Sequence, residues 1–134
     1  RVLHQAWQMA ESKLRVVVCV ADGSEEIETS GIYDTLVRGG LEVVLAKVGD
    51  TKGGKDLKCT MSRGMTFVAD VAFDDVVKEA GPKDKEMSSV SMVVLPGGMG
   101  GAQTFAKSSA LLSVLKHRKA KGLWYAAICA SPAQ

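Results

Sequence analysis

Residues 14–26 read LRVVVCVADGSEE, and this stretch decides the fold. Its first eight residues, LRVVVCVA, are a near-continuous β-branched run, the pattern of a parallel strand buried on both faces. Asp22-Gly23-Ser24 breaks the run. Glu25-Glu26 then open a helix to about Arg38, since acidic side chains suit a helix N-terminus, and Gly39-Gly40 end it.

Working outward, the same alternation repeats. Residues 42–47 (EVVLAK) are a second strand, followed by a polar Gly/Lys-rich loop over 49–55. Residues 57–59 and 65–68 read as short strands about a Ser62-Arg63-Gly64 turn, a β-hairpin. Residues 73–78 form a short helix or turn, and 81–86 a charged loop. A further buried strand, 90–95 (VSMVVL), ends in Pro96-Gly97-Gly98. A helix runs from about Ala102 to Lys121 with a break near Ser108, and 123–128 are the last strand. The order predicts an α/β fold, a doubly wound three-layer sandwich with a mostly parallel, flavodoxin-like sheet. The domain covers 13–134. Residues 1–12 read as an N-terminal extension, with Leu3, Ala6, Trp7 and Ala10 on one face of a short helix.

The chain has 134 residues, enough for one domain; 46% hydrophobic and 24% charged residues exclude intrinsic disorder. Seventeen Lys and Arg against fifteen Asp and Glu leave +2, too small a surplus for a nucleic-acid or anionic-membrane partner. The densest basic cluster, Lys116-His117-Arg118-Lys119 with Lys121, fits cations at a helix C-terminus better than a nucleic-acid patch. The longest apolar run, 123–130, has eight residues, short of the roughly 18 that cross a bilayer, and no secretory signal is evident. Cys19, Cys59 and Cys129 are odd in number and lack CxxC spacing, so neither a disulfide framework nor a zinc site is expected, and the compartment is a reducing cytoplasm. The chain opens on Arg1 and stops just past what reads as a core strand, so we expect it to be part of a longer one.

In open α/β sheets ligands bind at the carboxyl ends of strands, and three features fall there. Cys129 follows the last strand with Ala127 and Ser131 flanking it, where a nucleophile elbow needs small residues; Ala and Ser replace the usual glycines. At a following helix's N-terminus its thiolate would be favoured, but a small buried hydrophobe fits the position equally. Cys19, mid-strand, is a core residue; Cys59 is structural unless exposed. Glu25, Glu26 and Glu28 suit a first helical turn, and one of them, Glu28, could bring a carboxyl to Cys129. Gly97-Gly98 allow backbone N–H groups to approach a ligand, as an oxyanion hole requires, or simply make a tight turn. The tract lacks the Lys-Ser/Thr of a P-loop, and Gln103 occupies the last glycine's place of G-x-G-x-x-G counted from Gly98.

The combination of GSEEIET (23–29), VLPGG (94–98) and AAICASP (126–132) resembles the ThiJ/PfpI superfamily, in the branch of the human Parkinson's-disease protein. The likeness covers residues 13–134. It implies Cys129 as a nucleophilic, oxidation-prone cysteine and Glu28 as its protonated carboxyl partner. It also implies Gly98 and Ala130 as oxyanion-hole donors with Gly97 beside them, and Arg38 and Arg63 as basic groups near the substrate. Arg63 would come from the second subunit of a homodimer. The implied activity is a cofactor-free glyoxalase or deglycase acting on a small aldehyde, methylglyoxal or its early adducts, with no metal. Chaperone and redox-sensing roles, and thiazole-biosynthesis or protease labels, also attach to the superfamily. A cysteine hydrolase would need a histidine, and neither His4 nor His117 sits where the family's histidine belongs. Class I glutamine amidotransferases share the elbow but pair it with a downstream His-Glu, so Glu28 favours ThiJ/PfpI. Family members are longer, with further C-terminal strands and helices. We expect that remainder as a second fragment of a nicked protein, because the sheet would otherwise expose a large apolar edge.

Overall fold

The computed structural model describes residues 14–133; the short helix expected within residues 1–12 lies outside them. The elements in chain order are β1 (Arg15–Val20), α1 (Glu26–Arg38), β2 (Glu42–Lys47), β3 (Lys58–Thr60), β4 (Thr66–Val68), β5 (Val71–Ala72), α2 (Phe73–Ala80), β6 (Met92–Leu95), α3 (Met99–Lys107), α4 (Ser109–Lys121) and β7 (Trp124–Ala127), followed by a 3-10 turn, Ser131–Ala133. The sheet has the order β5-β2-β1-β6-β7, every neighbouring pair parallel, and β3 and β4 form the expected antiparallel hairpin.

The β-branched run of β1 is the centre of the sandwich because its side chains alternate between two cores. Val17, Cys19 and Ala21 pack with Phe73, Val76, Phe105, Leu111 and Val114 of the helices on one face. Val16, Val18 and Val20 pack on the other with Leu45, Cys59 and Met61, joined by Ile32 and Leu36 of α1. Every residue from Val16 to Ala21 is at most 1% exposed. Each valine so buried contributes about 1.5–3 kcal/mol of transfer free energy. Burial also pushes the Cys19 thiol far up, and the Cys59 thiol, likewise buried, up to about 11. Both are packing residues.

Four readings need correction. The helix after β6 starts at Met99 rather than Ala102, because Gly98 already carries the turn. Its break at Ser108 is real: the Ser108 hydroxyl accepts from Leu111 N at 3.2 Å and caps α4. Residues 71–72 are a short edge strand that their length concealed. Arg118, read with the surface cations of its cluster, is wholly buried. Its guanidinium donates to the carbonyls of Glu86, Met87, Val90, Ser91 and Trp124 at 2.9–3.0 Å, fastening the 86–91 segment to the start of β7. Last, β7 is not a core strand here. It is the outer strand of the sheet, with Trp124 77% and Tyr125 43% exposed. Among the described residues no helix is long and apolar enough to cross a membrane.

Candidate active site

The carboxyl ends of β1, β6 and β7 lie side by side in the sheet, so the loops that follow them meet. The contact is backbone against backbone. Glu25 N donates to Gly97 O at 3.0 Å. Gly98 has φ +88, and a Cβ there would collide with Gly23 O and lie 2.6 Å from Glu25 N. Only glycine fits, by conformation and by space. The β3–β4 hairpin closes over the same loop: Gly23 N donates to Thr60 O, Thr60 N to Asp22 Oδ1 and Ser62 N to Ser24 O, each at 2.8 Å.

Gly97 marks where the chemistry converges. A Cβ on it would lie 2.6 Å from Cys129 Cβ, 3.1 Å from Cys129 Sγ and 2.7 Å from Glu28 Oε2. The thiol and the carboxyl are therefore neighbours across one glycine. Glu28 gets there from the first turn of α1. Glu25 caps that helix, accepting from Glu28 N at 2.7 Å, and Glu28 Oε2 accepts from Gly97 N at 2.6 Å.

Cys129 is exposed, with φ +59. A non-glycine residue in that region costs roughly 1–3 kcal/mol and persists only where its surroundings impose it. They do so here. Ile128 N donates to Leu95 O at 3.1 Å, Ser131 N to Ile128 O at 3.2 Å, and the Ser131 hydroxyl to Pro96 O at 2.5 Å. The cysteine is followed by a 3-10 turn, Ser131–Ala133, at the end of the described residues. Among the described residues the Gly98 and Ala130 N–H groups make no hydrogen bond, so both are available to an incoming oxygen.

An open cleft of about 460 Å³ runs over Cys129, lined also by Gly23, Glu25, Ser62, Arg63, Gly98 and Ala130. Arg63 thus lines the cleft of its own chain. The hairpin turn puts it there, and Glu26 holds the turn: its buried carboxylate accepts from the Ser62 hydroxyl at 2.7 Å and from Arg63 N. Burial raises the Glu26 pKa, but those hydrogen bonds outweigh it and hold the carboxyl below its usual range. Arg38 is not brought to the site. It ends α1, ten residues or about 15 Å of helix beyond Glu28, and pairs with Asp34 at 2.8 Å. A second cleft of about 450 Å³, between α1 and β4, is lined by Thr29, Ser30, Tyr33, Asp34, Leu45 and Phe67 among others and by no cysteine. Among the described residues no group of three or more His, Cys, Asp or Glu is placed to hold a metal. The reading of the sequence missed Glu26 and Ser131 as organising residues. Glu26 is indistinguishable in the sequence from its acidic neighbours; the one signal at Ser131 was a serine where an elbow ordinarily has glycine.

The sequence matches the model of the DJ-1/PfpI family over residues 14–134. It is 39% identical over 131 residues to Protein DJ-1 homolog B of Arabidopsis thaliana, covering 98% of this chain and 27% of that one. It is 32% identical over 124 residues to a glutathione-independent glyoxalase, DJR-1.2, of Caenorhabditis elegans, covering 92% of this chain and 58% of that one. Among solved structures, oxidised Toxoplasma gondii DJ-1 superposes with a TM-score of 0.75 at 43% identity, over 90% of this chain and 58% of that chain. The chain thus spans between about a quarter and three fifths of the length of these relatives.

Proposed function

The chain belongs to the DJ-1/PfpI family, and from that premise we propose that it carries the active site of a cofactor-free glyoxalase or deglycase-type enzyme acting on methylglyoxal or its adducts. The observation that supports this reading is the meeting of Cys129 Sγ and Glu28 Oε2 around Gly97, beside an open cleft that Cys129 lines. A relative bearing the name of a glutathione-independent glyoxalase supports the reaction class.

In this mechanism the Cys129 thiolate adds to the aldehyde carbon, forming a C–S bond. The Gly98 and Ala130 N–H groups receive the developing oxyanion, which takes the Glu28 proton to give a hemithioacetal and leaves Glu28 as a carboxylate. Glu28 takes the proton from the sulfur-bearing carbon and returns a proton to the adjacent, former ketone carbon, converting the hemithioacetal into a lactoyl thioester. Water attacks that thioester, lactate leaves and the thiolate is regenerated. The net reaction is hydration and internal redox of methylglyoxal to lactate, balanced without external oxidant. Arg63, in the same cleft, donates to the substrate's second carbonyl oxygen.

The test is methylglyoxal consumption by Cys129→Ser and Glu28→Gln, each expected to lose at least about 100-fold in kcat. Parent-like turnover in either variant removes the reading. A second reading, a redox-sensing chaperone in which Cys129 is oxidised to the sulfinate, is supported by Cys129 being exposed where Cys19 and Cys59 are buried. We also propose a homodimer, supported by exposed apolar side chains on α1 and the hairpin, Ile27 and Val68 among them. We further propose that additional polypeptide of the same protein covers β7.

A further inference from the structure

We infer that Ser131 is a positioning residue for the oxyanion hole: its buried hydroxyl clips the loop carrying Cys129 and the Ala130 N–H to the loop carrying the Gly98 N–H. The inference rests on the enzymatic reading above. The sheet itself does not hold these loops together. The β6–β7 pairing ends with Leu95 opposite Ala127 and a last backbone bond from Ile128 N to Leu95 O. Past that point the ladder has no continuation: proline at 96 has no N–H, and Gly97 O is already taken by Glu25 N. The buried Pro96 carbonyl is thus left facing the elbow with no backbone donor, and the Ser131 hydroxyl supplies one at 2.5 Å.

Pro96 lies two residues before Gly98, and Ser131 one residue after Ala130, so the clip sits next to both prospective donors. It also bears on the nucleophile. Cys129 is held at φ +59 by a turn whose far end is Ser131, tied through N–H to Ile128 O and through Oγ to Pro96 O. Ser131 does not line the cleft and its hydroxyl proton is committed to Pro96, so it acts through its neighbours and does not touch substrate. A glycine in this place could make the turn but could not tie the two loops.

The experiment compares Ser131→Ala, Ser131→Cys and Ser131→Thr in the purified protein. Displacing an oxyanion donor is expected to lower kcat for methylglyoxal by about 10- to 100-fold with KM little changed. Thr, which keeps the hydroxyl, should restore most of it; Cys, nearly isosteric but a weaker donor, should fall between and serves if the alanine variant does not fold. Parent-like kcat in both Ala and Cys variants, or a Thr variant no better than Ala, overturns the inference. Amide exchange at Gly97 and Ile128, one hydrogen-bonded N–H on each loop, reads the clip without turnover. Faster exchange at both in the Ala variant supports the clip even if the parent consumes no methylglyoxal, in which case only the enzymatic reading falls. Unchanged exchange overturns the clip.

Discussion

A single methyl group at position 97 is enough to separate the reacting groups. In Gly97→Ala the new carbon would stand 2.6 Å from Cys129 Cβ and 2.7 Å from Glu28 Oε2, and both neighbours are fixed, one by a strained elbow and the other by its bond to Gly97 N. The site must open, and reacting atoms displaced by about 1 Å lose on the order of 100-fold in rate. Overpacking of this kind costs about 1–3 kcal/mol in stability, which a folded domain survives. Gly97→Ala is therefore expected to melt as a cooperative domain while consuming methylglyoxal at about 1% of the parent rate; a variant active at the parent level would show that Glu28 and Cys129 need not be neighbours. At this scale the sequence was most legible where residue type alone restricts the backbone. Gly97, Gly98 and Cys129 stood out because they follow strands; Ser131 and Arg118 did not, because their importance lies in carbonyls from distant segments that no local pattern reveals.

The first turn of α1 shows how one element serves several ends. Glu25 caps the helix, Glu26 turns to the hairpin and Glu28 to Gly97. All three are good first-turn acids, so the sequence predicts the helix start but not the division of labour. Geometry makes that division: successive residues are about 100° apart on a helix, so only one can face the sheet end. The Glu26 contact has a pH signature. Its carboxyl is held below the ordinary value of 4.5 by the Ser62 hydroxyl and the Arg63 N–H, so the carboxylate is favoured in the folded state. The stabilisation is complete above the unfolded pKa and is lost as pH falls through the folded one. Denaturant midpoints of the parent are expected to fall as pH drops below the ordinary carboxyl value of 4.5. Glu26→Gln should be less stable near neutrality and flatter across that window, with Arg63 less well placed and KM for the aldehyde raised. A variant whose acid dependence matches the parent's would assign the contact no role in folding.

At the scale of the molecule, the strand order follows from the alternation of strands and helices, but the state of the outer strand does not. An apolar strand reads the same whether it is covered or bare, since cover comes from elements elsewhere. Here β7 presents Trp124 and Ile128 at 77% and 49% exposure, beside an apolar groove of about 360 Å³ lined by Ile32, Leu36, Met92, Val94 and Ala126. A contiguous apolar strip at an unpaired sheet edge is a surface that folded proteins cover. The relatives matched are longer than this chain, which covers 27% of one and 58% of another. The proposal of further polypeptide over β7 can be read from one fluorophore. The sequence has two tryptophans, Trp7 and Trp124, so Trp7→Phe leaves Trp124 alone. In the 134-residue polypeptide by itself, iodide should quench Trp124 freely, and dilution should not change this unless copies associate through β7. In the protein isolated from its source, intact mass should show either a longer chain or a second fragment, and in the Trp7→Phe variant expressed there quenching of Trp124 should drop several-fold. Equal quenching in both samples would mean that β7 remains bare, and the cover would then have to be sought in a second copy of the chain.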